Sequence, residues 1–383
     1  MIEARDFIDA CLKRELSLWS GVPCPFLTPL IHYAIQSRNL DYIAATSERE
    51  AAAVAAGAYL GGRTGVVVCQ NSGLGNLVDP VTSLAYPFRI PMLLIVTHRG
   101  SEDLEDGPEH ELMGKITGDL LLRMRVEWEE FPETRDAVDD ALERAIDSME
   151  SNGLPYALVM KKPVLSEHPH QKRAEGERPP RVEPVGSFAH DPAERMSRLE
   201  AIETVREALS GSEALIATAG HTSGELFSLG HKSSQLYVIG GMGCASALAL
   251  GVQRARRDRD VVVLDGDGSA LMSMGTMATV GHYGPRRYTH VLLDNEMHAS
   301  TGGQPTASPS IDFAGVASAC GYRNVWWTDD PRELTEHIRE AHRAPGPSFI
   351  HVKLAATAGP DPGAPRLTPH QVKAQFMDWI QGL

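Results

Sequence analysis

Cysteine is scarce: five in 383 residues, at Cys11, Cys24, Cys69, Cys244 and Cys320, with no C-x-x-C pair. Neither a disulfide framework nor a cysteine-based zinc site can organise such a chain, so the five are expected to be reduced and mostly buried. Basic residues are outnumbered, 36 against 50 acidic, which leaves a formal net charge of −14. Without a basic face, a sequence-independent grip on nucleic acid or on anionic lipid is excluded, although a few cations gathered locally would still hold a small anion. No apolar run approaches the roughly 20 residues of a membrane helix. The acidic opening Met1-Ile2-Glu3-Ala4-Arg5-Asp6 resembles neither a signal nor a transit segment, and the expectation is a soluble, cytoplasmic protein. Low-complexity bias is missing too, since 35 glycines and 25 prolines are ordinary for a turn-rich α/β chain.

What is present is alternation. Short β-branched runs, Gly65-Val66-Val67-Val68-Cys69, Pro91 to Val96, Ala214 to Ala217, Leu236 to Ile239, Val261 to Leu264 and Val291 to Leu293, recur between alanine-rich helical stretches. Apolar strands separated by helices mark parallel sheets covered on both faces. One interruption stands out, where His168, Pro169, Lys172, Arg173, Glu175, Glu177, Pro179, Pro180 and Pro184 crowd together. Such composition favours extended chain over a core. The organisation expected is therefore two doubly wound parallel-sheet α/β domains, 1–165 and 199–383, joined by a linker over 166–198.

Leu264-Asp265-Gly266-Asp267-Gly268-Ser269 follows an apolar strand and precedes a helix expected over Ala270 to Val280, with Met274 and Met277 inward. Glycines on either side of Asp267 let backbone come close to a ligand. Two readings stand: the aspartate caps a tight turn, or it holds Mg²⁺ while the helix amides receive a phosphate. One helix and one return strand later comes Asp294-Asn295, which brings Asn295 to the sheet edge that carries Asp267.

A G-D-G followed at this distance by an asparagine resembles the fingerprint of the thiamine-diphosphate (ThDP) enzyme family. The resemblance implies ThDP and Mg²⁺ as cofactors, with Asp267, Asn295 and the main-chain carbonyl of Met297 on the metal and Gly266, Gly268 and Ser269 beside the diphosphate. Asp294 stands where the commonest form has a first asparagine, but the second position is the usual ligand. The family also uses a glutamate of the other domain to hydrogen-bond the aminopyrimidine ring. Thr46-Ser47-Glu48-Arg49-Glu50, with Ala55-Ala56-Gly57 downstream, matches its glutamate-led helix, and the spacing to Gly57 selects Glu48. Read without the resemblance, the same segment is a helix start with acidic residues in its first turn. Ile239-Gly240-Gly241-Met242-Gly243-Cys244-Ala245-Ser246 imitates a dinucleotide loop, but no acidic residue follows at the required distance. By resemblance, Gly241 admits the aminopyrimidine and Met242 props the cofactor into its bent shape.

Most decarboxylases and carboligases of this family carry a third, central domain, for which this chain has no room. Gly21 to Leu27, Gln70 to Asn76, Asp106-Gly107-Pro108-Glu109-His110, Met242 to Ser246 and Ser300-Thr301-Gly302-Gly303-Gln304-Pro305-Thr306 resemble the compact phosphonopyruvate decarboxylases, a subgroup that includes sulfopyruvate decarboxylase. That implies non-oxidative decarboxylation of a small anionic 2-oxo acid, 3-phosphonopyruvate giving phosphonoacetaldehyde and CO₂, in phosphonate biosynthesis. Thr28 departs from the pattern, a lysine being expected there. Sulfopyruvate or another short anionic 2-oxo acid, a carboligase reaction, and a non-catalytic partner subunit are the alternatives. Candidates for the substrate's anion are His98, Arg99, His110 and the amides of Ser300, Thr301, Gly302 and Gly303, whose composition resembles an anion nest. Surface charge is the bland reading of Arg99. His110 and His298 are candidates for catalytic proton transfer, against structural roles for each. The resemblance further implies a homodimer or higher homo-oligomer, with active sites shared between the N-terminal domain of one subunit and the C-terminal domain of another.

Overall fold

The computed structural model describes residues 1–102, 105–169, 181–357, 359–363 and 365–382. The chain divides into two compact units, Met1–Gly176 and Glu177–Leu383. Each is built on one parallel sheet with helices on its faces, the fold class expected from the alternation of apolar runs and helices.

In the first unit the strands are β1 (Leu18–Gly21), β2 (Asp41–Ala44), β3 (Gly65–Gln70), β4 (Leu93–Thr97), β5 (Glu127–Glu130) and β6 (Tyr156–Met160), in the order β2-β1-β3-β4-β6-β5. Strands β3, β4 and β6 are buried almost throughout, which is why they read as continuous apolar runs. The Glu-Trp-Glu-Glu of β5 occupies an edge, where charge blunts further strand pairing. The helix Glu48–Leu60 is buried on nearly every side and is alanine-rich for that reason. A Cβ on Gly65 of β3 would lie 2.6 Å from the Cα of Ala55, a measure of how closely this helix sits on the sheet.

The second unit holds β7 (Val185–Ser187), β8 (Ala214–Ala217), β9 (Gln235–Tyr237), β10 (Val261–Gly266) and β11 (Tyr288–Asp294). A short antiparallel hairpin, β12 (Met297–His298) and β13 (Gln304–Pro305), precedes β14 (Asn324–Thr328) and β15 (Ser348–Lys353). The main sheet runs β7-β14-β15-β11-β10-β8-β9. Chain direction across a sheet reverses between β1 and β3 in the first unit and between β8 and β10 in the second. Loops at the carboxyl ends of strands flanking such a reversal diverge and leave a crevice, the usual ligand position in open α/β sheets.

Two expectations need correction. The stretch read as linker is not wholly so: Val185–Ser187 pairs with Trp326–Thr328 as an exposed edge strand, and Asp329 accepts hydrogen bonds from the amides of Ala189 and His190 at 2.8 and 3.1 Å. Residues 170–180, in the middle of that stretch, lie outside the described residues. The single helix expected over Ala270 to Val280 is two, Asp267–Met272 and Gly275–Tyr283. The first begins at Asp267 itself, so the aspartate is a helical residue and not a cap. Met277 is buried as expected, whereas Met274 is half-buried at the break.

Candidate functional site

In the second unit, loops from four strands converge on one cavity. It is lined by Thr218, Ala219, His221 and Thr222 after β8, Met242 after β9, Gly266 to Ser269 at the end of β10, and Leu293, Asn295 and Met297 to Ser300 from β11 onward, with Arg198 alongside. Strands β10 and β11 are adjacent and in register, Gly266 beside Leu293, which carries Asp267 and Asn295 out at the same edge. Both side chains are buried. Asp267 accepts a short hydrogen bond from the Thr306 hydroxyl. Burial, followed by the charge of nearby Asp294, raises its pKa, against which the Thr306 bond works. Asn295 donates its amide nitrogen to the Thr357 carbonyl at 3.3 Å. Ser269 is the knot of the cavity: its hydroxyl hydrogen-bonds Thr218 Oγ1 at 2.9 Å and accepts from the Gly243 amide at 3.2 Å, tying the loops after β8 and β9 to the helix start.

Gly268 has a packing reason to be glycine. A Cβ there would stand 2.4 Å from the His298 ring, so the imidazole lies directly against the main chain beside Asp267. Ser300 lines the cavity, but Thr301 and Gly302 do not. Thr301 is exposed and donates to the Gln304 side chain at 2.8 Å, and Gly302 (φ 113°) turns the β12–β13 hairpin. Gly241 (φ 63°) is buried and lies outside the lining. The sequence reading missed Thr218, His221, Thr222, Arg198 and Thr306 as members of this group. The Nδ1 of His221 is buried without a hydrogen-bond partner, and Arg198 is paired in both forks with Glu225, 2.7 Å each. Thr306 closes the motif Ser300 to Thr306 and was the one member with a legible signal.

The first unit brings a separate set to its own crevice. Ser47 caps the helix Glu48–Leu60 by accepting from the Glu50 amide at 3.2 Å. The two glutamates then divide. Glu50 accepts from the amide of Thr46 at 2.7 Å and from its hydroxyl, serving the helix start. Glu48 accepts from Asn76 Nδ2 at 2.7 Å, and a Cβ on Gly73 would meet its Oε1 at 2.2 Å. Gly73 is therefore the space in which that carboxylate sits. If Glu48 takes part in catalysis, as the sequence resemblance implies, Gly73→Ala, which would push its carboxylate out of place, is expected to lower turnover by about 10²-fold, the scale of a 1 Å misplacement in an active site. Steady-state kinetics alongside a melting curve checks this, and an active Gly73→Ala would dismiss the packing argument.

Beside this crevice Cys24, after β1, donates to Gln70 Oε1 at 3.3 Å and contacts Thr97 Oγ1 at 3.2 Å. Arg99 is paired through two nitrogens with Asp106, and the Arg99 hydrogen bond holds the Asp106 carboxyl well below the ordinary range. The guanidinium also lies over the Phe26 ring. Its charge is thus matched within the protein, and it does not stand free as either a solvated charge or an open anion contact. His98 donates through Nε2 to the Gly114 carbonyl, 2.7 Å away. His110 is buried, 3.9 Å from Asp106 and 3.6 Å from Glu109, with Nδ1 unpartnered. Thr28 opens the helix Thr28–Gln36 and lines a different cavity with Phe26, Leu165 and His168.

Comparison with known proteins covers both units. Residues 3–118 match the family described as thiamine pyrophosphate enzyme, N-terminal TPP binding domain, and residues 223–352 match its C-terminal TPP binding domain. The chain is 39% identical to a phosphonopyruvate decarboxylase of Streptomyces hygroscopicus over 99% of its length and 94% of the relative's. Against a sulfopyruvate decarboxylase of Methanosarcina acetivorans the identity is 27%, over 97% of this chain and 96% of that one. Among solved structures, the 4-hydroxybenzoylformate decarboxylase of Rhodococcus jostii RHA1 superposes with a TM-score of 0.69 over 94% of this chain and 100% of that one. At 13% identity it speaks for the fold alone.

Proposed function

The chain belongs to the family of thiamine-diphosphate-dependent decarboxylases that includes the phosphonopyruvate decarboxylases, and from that premise we propose that it decarboxylates 3-phosphonopyruvate to phosphonoacetaldehyde and CO₂ with the help of Mg²⁺. The observation that carries the substrate is full-length identity of 38–39% to two phosphonopyruvate decarboxylases, against 27% to a sulfopyruvate decarboxylase.

The residues at the cavity suit the cofactor. Among the described residues no group of three or more His, Cys, Asp or Glu is arranged to hold a metal. An aspartate, an asparagine and a main-chain carbonyl, from Asp267, Asn295 and Met297, leave a hard cation to be completed by diphosphate oxygens. The unpartnered His221 Nδ1 and the hydroxyls of Thr218 and Thr222 are groups a diphosphate would engage. Met242, on the same lining, would support the rings. When bound, the coenzyme supplies a carbon nucleophile for the keto carbon and a sink for the electrons left behind as CO₂ departs. Glu48 would hold a proton at the aminopyrimidine ring nitrogen. His298, against Gly268, and His110 are proposed to handle the proton that completes the aldehyde. Ser300, on the same lining, would offer its hydroxyl and amide to the substrate's anion, with Arg99 setting the local field through its pair with Asp106.

Glu48 and Asp267 each sit at the crevice of their own unit. As family members do, the enzyme is proposed to join the first unit of one subunit to the second unit of another, in a homodimer or larger homo-oligomer. Cytoplasmic placement is proposed as well; no helix among the described residues is long and apolar enough to cross a membrane. The test is CO₂ and aldehyde release from phosphonopyruvate and from sulfopyruvate, with ThDP and Mg²⁺ present. Faster turnover of phosphonopyruvate is expected. Turnover of sulfopyruvate alone would move the assignment to the relative that shares the cofactor, for which the departure at Thr28 is the specific argument.

A further inference from the structure

Asp294, the residue that departs from the commonest family pattern, makes an unusual set of contacts. It ends β11 and is fully buried. Its Oδ2 accepts from Ser308 Oγ at 2.6 Å, His351 Nε2 at 2.8 Å and Lys353 Nζ at 2.8 Å, and its Oδ1 accepts from the Glu296 amide at 3.1 Å. Lys353 lies directly across from it on β15 and also pairs with Glu296 at 2.7 Å. An asparagine could not take all of these donors, because half of its head group is itself a donor.

The residue these contacts converge on is Glu296, which holds a left-handed backbone (φ 63°), a conformation that side chains other than glycine resist. The Asp294 carboxylate grips its amide, Lys353 grips its side chain, and its carbonyl accepts from the Thr306 amide at 3.0 Å. The turn sorts its residues to two sides. Asn295 and Met297 line the cavity that holds Asp267, while Glu296 lines a different one together with Ser308, His351 and Lys353.

We infer that Asp294 is a positioning residue for the metal: with Lys353 as its counter-charge and His351 as a further hydrogen-bond partner, it holds Glu296 in the left-handed turn and so presents Asn295 and the Met297 carbonyl to the cation. The inference rests on the proposed roles of Asn295 and Met297. It also explains the departure from asparagine, since a carboxylate here is matched by a lysine and a histidine that an amide would not need.

Calorimetric titration of Mg²⁺ at fixed ThDP, with turnover at saturating Mg²⁺ and a melting curve without cofactor, tests it. Asp294→Asn is expected to bind Mg²⁺ about 10- to 100-fold more weakly, with kcat at saturation close to that of the unaltered protein. Removing both charges, in Asp294→Asn with Lys353→Met, also takes away the lysine that holds the Glu296 side chain, so it is expected to recover none of that loss, and full recovery would overturn the inference. Asp329→Asn is the control: that carboxylate is equally buried and pins residues 189 and 190 in the same unit, so its loss should lower the melting temperature and leave Mg²⁺ affinity alone. If Asp294→Asn behaves like Asp329→Asn, or loses kcat at saturation, the inference is overturned. Should Asp294→Asn not fold, Glu296→Gln decides: Mg²⁺ affinity about two- to fivefold weaker, the worth of a half-exposed ion pair, supports the inference, and unchanged affinity rejects it. Absence of Mg²⁺-dependent ThDP binding in the unaltered protein is a separate result, which fails the cofactor reading and this inference with it.

Discussion

Glu48→Gln is expected to lower the rate of decarboxylation by about 10²- to 10⁴-fold, the usual contribution of one positioned acid or base, while ThDP affinity changes little. Glutamine has nearly the volume of glutamate, so it keeps the space beside Gly73 and can still accept from Asn76. What it cannot do is exchange a proton with the aminopyrimidine ring. The loss should therefore appear in kcat and not in binding. Glu50→Gln provides the contrast, because Glu50 serves the helix start through Thr46. That variant is expected to lose stability and to keep its chemistry. Full activity in Glu48→Gln, or a loss as large in Glu50→Gln at saturating cofactor, would overturn the assignment of the proton-transferring glutamate.

Asp267→Asn should abolish Mg²⁺-dependent binding of ThDP. On the proposed assignment the pocket offers one buried carboxylate to the metal, and in the variant the protein would give the cation only amide oxygens and a carbonyl, ligands that bring no charge. The cleanest reading is thermal. A ligand that binds only the folded protein stabilises it by about 2.7 kcal/mol at a hundred times its Kd, several degrees for domains of this size. The unaltered protein should show that rise with ThDP and Mg²⁺ together and far less with either alone, because diphosphate and metal complete one another's coordination. Asp267→Asn should show none. Its melting temperature without cofactor should be no lower than that of the unaltered protein, since the substitution removes a desolvated charge close to Asp294 and leaves the Thr306 hydroxyl a partner. A cofactor-induced rise of the usual size in Asp267→Asn would exclude it from the metal.

Much of this was legible because parallel strands buried on both faces must be apolar and β-branched, and β3, β4, β10 and β11 announce themselves that way. Others were silent for physical reasons. The β5 edge is charged, and β7 is a three-residue edge strand inside a proline-rich stretch, so neither carries a periodic apolar signal. The helix break after Met272 was only weakly marked, by Ser273 and Gly275 and by no proline.

Local sequence was sufficient for the parts of the site that depend on local geometry: glycines around Asp267, a capped helix led by Glu48, and an asparagine one strand further on. These are consequences of backbone conformation and strand order, which neighbouring residues dictate. The tertiary structure decided which charges remain available. It cancels Arg99 with Asp106 and Arg198 with Glu225, surrounds Asp294 with Ser308, His351 and Lys353, and places His221 and Thr306 beside Asp267. A charge's effect depends on what surrounds it in a medium of low dielectric, and apart from the local Arg99–Asp106 pair those surroundings come from segments far apart in the chain that meet only when the sheet forms.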